Sequence, residues 1–452
     1  MIRLLLSDLR HHAGSWAWTA VVAVVAASAV AGQFRVAHGA FAAAEAAGDP
    51  TMIDGAESVS GIIIIGVVFA AVAILSSTSN LAVSQRERDH GLWKALGMSP
   101  SMVRLVIQGQ LLTLGTLTSL VAVPLSLPIS RFMMHRLISD GAALPGAVPQ
   151  WKPADLIWTA IISAGTLVIG GRGAAKRASR TPEALLLRGS GGQRARWSAG
   201  LVLKSLLRLL WAAAAAAGWA AEFLVIRSGE NQDVFMSLFG GVLCGLMLVC
   251  ILCGWLSPVL ERLLAALIPD PGVAWHVAGR TCALESRRSA ATVLPFLVTI
   301  GLVAISFGPA SASSDITVTG FTSVFGLPFL VSWTGGVAVI AMSAGRRRRD
   351  AALLRAAGAM ERDVLAIEVL EGFLHAAAAT ILGLLVTLST AVLLSEALHR
   401  SLAGILADFP WTTLGLVCAA TLATTCLAVV VSARAGALAR EQSLGQVLRA
   451  RD

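Results

Sequence analysis

Charged residues are scarce in this chain. Asp, Glu, Lys and Arg make up 13% of its 452 residues, and the mean hydropathy is +0.76. This composition is typical of membrane proteins and lies outside the usual globular range. The pI near 10.1 would otherwise indicate nucleic-acid binding, but the basic residues occur in short runs between apolar stretches. Such runs set the orientation of a membrane protein, so we expect a lipid bilayer as partner and no nucleic acid.

Lysine is rarer still, with four residues: Lys94, Lys152, Lys176 and Lys204. A phosphate-binding Walker loop needs a glycine directly before its lysine, and the residues before these four are Trp, Trp, Ala and Leu. The eight histidines show no local metal-binding spacing, and the six cysteines give no disulfide framework. We therefore predict that the chain is not an enzyme and carries no catalytic residue, metal or cofactor of its own.

Long apolar stretches dominate the chain, and about 20 such residues are needed to cross a bilayer as a helix. We predict an all-α polytopic membrane protein with about ten transmembrane helices in a 4+2+4 arrangement. The predicted spans are 14–34, 61–83, 104–129, 154–171, 205–226, 234–257, 290–308, 321–343, 364–395 and 412–432.

The basic residues predict the orientation. If both termini are cytoplasmic, 29 of the 35 Lys and Arg residues fall on the inner side. The preference for Arg over Lys and the many alanines are typical of a GC-rich bacterium, so we expect the bacterial inner membrane. The longest outer loop is 35–60, which is too short for a sizeable outer domain.

One motif occurs twice, at an offset of 261 residues, in segments 86–97 and 347–358. We call these the first and second repeated segments. Each follows an apolar span and precedes another. An even number of spans separates them, so the two halves form a parallel repeat. The predicted domains are a first four-helix unit (1–190), a two-helix linker (191–275) and a second four-helix unit (276–452).

Both repeated segments predict amphipathic helices at the membrane surface. In the first, Leu92, Trp93 and Leu96 form the apolar side, and Gly97 is a plausible end. Such a helix is suited to inserting into a groove on a cytoplasmic ATPase, or alternatively to anchoring on lipid headgroups. Its repetition favours the first interpretation. The candidate coupling residues are Arg88, Asp89, Leu92, Trp93, Lys94, Leu96, Gly97, Arg349, Asp350, Leu353, Leu354, Arg355 and Gly358.

Two acidic residues lie within the ninth span. Glu368 and Glu371 are three residues apart and share a helix face, and the first unit has Gln110 at the position of Glu371. Ionisable residues inside a span are functional candidates. The alternative is a structural role, in which they pair with Arg355 or Arg362 near the inner interface.

The repeated segments resemble the FtsX-like permease family of ABC transporters. Its mark is a basic stretch, an acidic residue and a Leu-(Arg/Lys)-Ala-Leu-Gly ending, which Arg88–Gly97 matches well and Arg349–Gly358 more loosely. Glu371–Gly372 resembles the acidic-Gly pair of the family's third helix, and Gln110–Leu111 departs from it. The resemblance covers both four-helix units, which makes them two parallel FtsX-like repeats.

The resemblance implies a permease that works with a separate ABC ATPase subunit, in two copies per chain, which holds the ATP and Mg²⁺. It also implies mechanotransmission from that ATPase to the spans. With short outer loops, we expect export or extraction of a hydrophobic or amphiphilic substrate. Two alternatives stay open: a non-transporting mechanotransmission protein that regulates a cell-envelope enzyme or sensor, and an ion-coupled secondary transporter.

Overall fold

A computed structural model of the chain describes residues 13–48, 50–141, 143–181, 199–229, 234–268, 272–284, 286–312 and 318–438. The tails predicted to be cytoplasmic (1–12 and 439–452) and the start of the predicted linker (191–198) lie outside the described residues. The described parts form helices and contain no strand. The helices are α1 (Ala13–Ala47), α2 (Pro50–Gln85), α3 (Glu87–Ala95), α4 (Pro100–Ser139), α5 (Pro153–Arg180), α6 (Ala199–Ser228), α7 (Val234–Leu267), α8 (Val273–Leu284), α9 (Ser286–Ala312), α10 (Val318–Ala356), α11 (Glu361–Ala397), α12 (Leu402–Asp408) and α13 (Trp411–Leu438).

Nine helices in the described ranges are long and apolar enough to cross a membrane. The remaining predicted span, the seventh at 290–308, lies in α9, where the apolar stretch Ser289–Leu302 falls within the searched residues. Several helices exceed the bilayer core: α4 has 40 residues, or about 60 Å at 1.5 Å per residue, against a core of about 30 Å. The prediction of an all-α polytopic membrane protein is confirmed.

Two sets of four helices pack in the same order. In the first bundle (α1, α2, α4 and α5), α1 contacts α2, α2 contacts α5, α5 contacts α4, and α4 returns to α1. In the second bundle (α9, α10, α11 and α13), α9 contacts α10, α10 contacts α13, α13 contacts α11, and α11 returns to α9. A diagonal contact, α1 with α5 and α9 with α13, is also common to both. The internal repeat of the sequence is therefore a repeat of packing.

The two bundles meet along α2 and α10. Ile74 of α2 lies against Gly335 of α10, and further along both helices the Gln85 side chain donates to the Met342 carbonyl oxygen at 2.7 Å. These paired contacts advance in the same direction, so the two helices run parallel. α1 also contacts α10 and α2 also contacts α9, which relates the bundles by a pseudo-two-fold axis. Ile74 and Gly335 are 261 residues apart, so they are counterparts in the repeat, and the axis passes between them.

The central helix pair, α6 and α7, packs on the second bundle. α7 contacts α9 and α11, and α6 contacts α11. Two glycines of α7 let it approach closely: a Cβ at Gly241 would lie 2.9 Å from Leu393 Cδ1, and one at Gly245 would lie 2.9 Å from Ser389 Oγ. The chain therefore departs from its own two-fold symmetry at this flank.

The stretch 35–60, predicted as an outer loop able to hold a small helix at 37–47, is helical over most of its length. α1 continues to Ala47 and α2 already begins at Pro50, which leaves two residues between them. Residues 36–47 contain seven alanines, and alanine has the highest helix propensity of all residues. The helices therefore continue past the point at which the apolar span ends. A second difference follows α7. The sequence predicted only a segment on the inner side there, and the structure has an additional helix, α8.

Candidate functional site

Both repeated segments lie at the same end of the molecule. Each directly follows one of the two parallel helices that meet at the axis, so α3 and the last turns of α10 emerge together. We call this the basic end. It also carries the start of α4, the start of α11 and the end of α5.

The first repeated segment ends in a Schellman cap. Gly97 has φ +91°, a left-handed conformation that glycine adopts without a steric penalty. Its N–H donates to the Lys94 carbonyl oxygen at 2.9 Å, and the Met98 N–H donates to the Trp93 carbonyl oxygen at 3.0 Å. This bond pattern satisfies carbonyls that have no partner within the helix and turns the chain directly into α4.

The second repeated segment ends in the same cap. Gly358 has φ +97°, its N–H donates to the Arg355 carbonyl oxygen at 2.9 Å, and the Ala359 N–H donates to the Leu354 carbonyl oxygen at 3.0 Å. The next helix then starts at the same offset, α4 at Pro100 and α11 at Glu361. The predicted helix end at Gly97 is thus confirmed, and its counterpart Gly358 ends the second segment in the same way.

Each segment exposes leucines beside its basic residues. Leu92 is 44% exposed, Leu96 is 86% exposed, and Leu353, the counterpart of Leu92, is 53% exposed. Trp93 is only partly buried and packs against the core. Single exposed apolar residues are ordinary, so the distinguishing feature is that Leu92 and Leu353 are exposed at counterpart positions of the repeat.

The two segments join their spans differently. The helical path is interrupted at Arg86 (φ −102°, ψ 19°), so α3 is a separate nine-residue helix. Arg86 is buried, its Nε lies 3.1 Å from Asp89 Oδ2, and its guanidinium carbon lies 5.6 Å from the centre of the Trp16 ring. In the second bundle Arg347 occupies the matching position and is also buried, but α10 runs through it without a break. We call the interruption at Arg86 the joint.

Hydrogen bonds tie the first segment to its own bundle. Lys94 Nζ donates to the carbonyl oxygen of Thr181, at the end of α5. One turn earlier on α5, Arg177 donates to Asn80 Oδ1 of α2 at 2.9 Å. A displacement of α3 would therefore be transmitted to α5 as well as to α2.

The acidic pair of the ninth span lies close to the second segment. Glu368 and Glu371 are buried and line a small cleft, with Arg347 and Asp350 among the other residues around it. The sequence suggested that the pair could contact Arg355 or Arg362. In the structure, these two arginines contact other acidic residues. Arg355 lies 3.9 Å from Glu361, and Arg362 lies 4.0 Å from Asp363.

The matching position in the first bundle, Gln110, is fully buried. The acidic cleft is therefore a feature of one bundle and is not duplicated. The sequence did not indicate that Arg86 and Arg347 would be buried beneath the segments.

An apolar groove separates the bundles at the opposite end from the segments. It has a volume of about 510 Å³ and lies between the last turns of α4 and the early turns of α10. Its lining residues are Pro128, Ile129, Phe132, Met133, Arg136, Gly326, Leu327 and Leu330. Arg136 is the charged member of that lining.

The central helices cover the matching face of the second bundle. Pro128 and Phe132 of α4 correspond to Ser389 and Leu393 of α11, the two residues on which α7 packs. The groove beside α4 is therefore open, whereas α7 covers the equivalent position beside α11.

All thirteen predicted coupling residues lie at the basic end, on α3, on the last turns of α10 or in the caps that follow. Their role in coupling stays a prediction. The joint, the link from Lys94 to α5 and the groove were not predicted, because they arise from contacts between distant parts of the chain.

The profile of the FtsX-like permease C-terminal family matches the chain twice, at residues 61–182 and 322–437. A comparison with curated proteins found no significant match. The matched regions cover more than half of the chain and contain one repeated segment each. The chain is thus a multi-pass membrane protein that belongs to the FtsX-like permease family, the membrane permease component of ABC-type systems.

Proposed function

We propose that this permease couples ATP hydrolysis by separate nucleotide-binding subunits, one docked on each repeated segment, to the extraction or export of a membrane-embedded amphiphile. In this proposal the basic end faces the cytoplasm, and each chain binds two ATPase copies. The observation that carries it is the pair of identical caps at one end of the molecule, each beneath an exposed leucine.

The geometry of the segments supports docking rather than lipid anchoring. An anchor would bury its apolar side chains in the membrane, and one copy would suffice. Here Leu92 and Leu353 project at counterpart positions on either side of a pseudo-two-fold axis. A symmetric pair of docking points suits two copies of one partner, because equivalent surfaces accept equivalent subunits.

The groove supports the choice of substrate class. Its lining is apolar except for Arg136, and its volume falls within the range of about 300–1,000 Å³ found for small-molecule sites. An amphiphile with an acyl chain and an anionic head group matches this combination, since the chain can contact the apolar wall while the head group pairs with the guanidinium.

The docking proposal is tested by purifying the tagged chain from its native membranes. We expect co-purification of an ABC ATPase subunit of about 25 kDa, the size of a typical single domain, at two copies per chain. The double variant Leu92→Asp/Leu353→Asp should lose it, because a carboxylate would be desolvated in the partner's apolar groove.

The matched control is Leu284→Asp. Leu284 is 82% exposed and ends α8, close to the basic end, but lies outside both segments. It should retain the ATPase. If the double variant keeps both ATPase copies, docking at the segments is refuted. If the ATPase is retained by the native chain but no amphiphile stimulates its hydrolysis, the transport part of the proposal is refuted.

A further inference from the structure

Three potential metal ligands meet where the central helices join the second bundle. They are Glu261 of α7, Cys282 of α8 and His375 of α11, and their ligand atoms all lie within 4.8 Å of one another. We call them the buried triad. A ring nitrogen of His375, Nδ1, lies 2.8 Å from Glu261 Oε1. The three residues are far apart in sequence, so three separate helices converge on one point.

The triad is excluded from solvent. Glu261 is 0% exposed, and Cys282 and His375 are almost as fully buried. The other carboxylate oxygen of Glu261, Oε2, is buried and has no hydrogen-bond partner among the residues that the structure describes. A buried carboxylate oxygen without a partner is energetically unfavourable. Its position beside a thiol and an imidazole indicates that this oxygen is arranged to bind a cation.

The donor set selects the kind of cation. One sulfur, one nitrogen and one oxygen ligand is a combination that Zn²⁺ accepts, whereas Mg²⁺ and Ca²⁺ prefer oxygen ligands alone. With Glu261 and Cys282 both deprotonated, their two negative charges balance Zn²⁺. The loaded site would then be neutral, as a buried site requires.

The spacing is compatible with this ion after a small contraction. Ligands of a tetrahedral Zn²⁺, at bond lengths of about 2.0–2.3 Å, lie about 3.3–3.8 Å apart. Rotation of the side chains would shorten the longer spacings, which reach up to 4.8 Å, and would separate His375 Nδ1 from Glu261 Oε1, now 2.8 Å apart. Three protein ligands leave a fourth position for water.

The triad belongs to the central helices and is not part of the repeat. The counterpart of His375 in the first bundle is Leu114, an apolar residue of α4. Only the second bundle has α7 and α8 against its third helix. A metal here would hold the central pair on that bundle.

We propose that Glu261, Cys282 and His375 form a Zn²⁺ site that fixes α7 and α8 to α11. The ion would make the attachment of the central pair dependent on metal, because its ligands come from three helices. This inference is independent of the docking and transport proposal.

The test measures bound metal on the full-length purified chain. The purified chain is treated with a chelator, and Zn²⁺ is then added back. We expect elemental mass spectrometry to give a molar ratio of one Zn²⁺ per chain. We also expect a higher thermal unfolding temperature with Zn²⁺ than without it, because a ligand that binds the folded state stabilises it. Loading with Co²⁺ should add a thiolate charge-transfer absorption that reports the Cys282 sulfur.

Two near-isosteric variants, Cys282→Ser and Glu261→Gln, identify the site. Each should raise the Kd for Zn²⁺ by about 100-fold or more, since loss of even a residue behind a ligand weakens metal binding by about 10- to 100-fold. Cys244→Ser is the matched control, because Cys244 lies on α7 but outside the triad.

The control variant should bind Zn²⁺ as the native chain does. The proposal is overturned if the native chain binds no Zn²⁺ after re-addition, or if Cys282→Ser and Cys244→Ser bind it equally. Elution of each variant as a monodisperse peak separates loss of the site from loss of the fold.

Discussion

Ile74 and Gly335 occupy the same position in the two repeats and touch each other at the pseudo-two-fold axis. A residue on such an axis meets its own counterpart, so two large side chains would compete for one space. The chain avoids this conflict with isoleucine on one helix and glycine on the other. Small residues are common where membrane helices approach closely, because van der Waals packing holds such helices together.

We predict that Gly335→Ala destabilises the protein. A Cβ there would lie 2.2 Å from Ile74 Cγ2, so the helices must separate, with an expected loss of about 1–3 kcal/mol. Thermal unfolding in detergent measures it. Gly345→Ala on the same helix is the control, because nothing lies within 4 Å of its new Cβ. The double variant Gly335→Ala/Ile74→Ala should recover part of the loss. Equal unfolding temperatures for Gly335→Ala and Gly345→Ala would contradict the prediction.

At the scale of helices, the two bundles differ most at the joint. α3 is nine residues long and is separated from α2 by Arg86, whereas α10 carries the second segment as its own last turns. A short separate helix has few hydrogen bonds of its own, so tertiary contacts must hold it in place. The contact between Arg86 and Asp89 and the bond from Lys94 to Thr181 supply them.

We predict that Asp89→Asn loosens α3. Arg86 is buried, and loss of its carboxylate partner should reduce the local stability of α3 by about 1.4 kcal/mol, which is about a tenfold increase in amide exchange. Hydrogen–deuterium exchange of residues 87–95 measures this. In the counterpart variant Asp350→Asn, residues 348–356 should keep their native exchange because they continue a 39-residue helix. If amide exchange accelerates equally in both segments, the prediction is contradicted, because the interruption at Arg86 would then not determine the local stability of α3.

The sequence was a good guide to the helices and a poorer one to their ends. Apolar runs located the spans, and the paired glycines located both caps, because each feature depends on neighbouring residues only. The joint at Arg86 has no glycine or proline beside it, so no local signal marks it. At 35–60 a small helix over 37–47 was predicted, but not that it continues the first span and that the next helix begins at Pro50, because a polarity change ends an apolar span without ending a helix.

Contacts between distant helices were beyond the reach of local patterns. Glu261, Cys282 and His375 show no metal-binding spacing, since they come together only when α7, α8 and α11 pack. The shared helix face of Glu368 and Glu371 was predicted, whereas their burial was not. Their place beside Arg347 was not predicted either, because it depends on how α10 lies on α11.

At the scale of the whole molecule, two similar bundles have different flanks. The face of α11 that corresponds to the groove wall of α4 is covered by α7. The groove between α4 and α10 stays open. Among the described residues the two flanks therefore differ, and under the proposed function an amphiphile would enter on the α4 side.

We predict that an anionic photoreactive lipid labels the groove through Arg136. Arg136→Gln should reduce the labelling about tenfold, which corresponds to about 1.4 kcal/mol, close to the contribution of one hydrogen bond to a charged group. Arg131→Gln, an exposed arginine on the same helix outside the groove lining, is the control and should label normally. Mass spectrometry of labelled peptides measures both. If the two variants label equally, the groove does not select anionic amphiphiles.

The joint also distinguishes one long polypeptide from a pair of identical half-sized ones. Under the proposed coupling, a push applied at Leu353 would pass along an unbroken helix, whereas the same push at Leu92 would meet the interruption at Arg86. Identical half-proteins would respond identically, because a single gene supplies both arms. One chain that carries both bundles can hold two segments of different stiffness, so under the proposed coupling equal inputs would give unequal movements on the two sides of the axis.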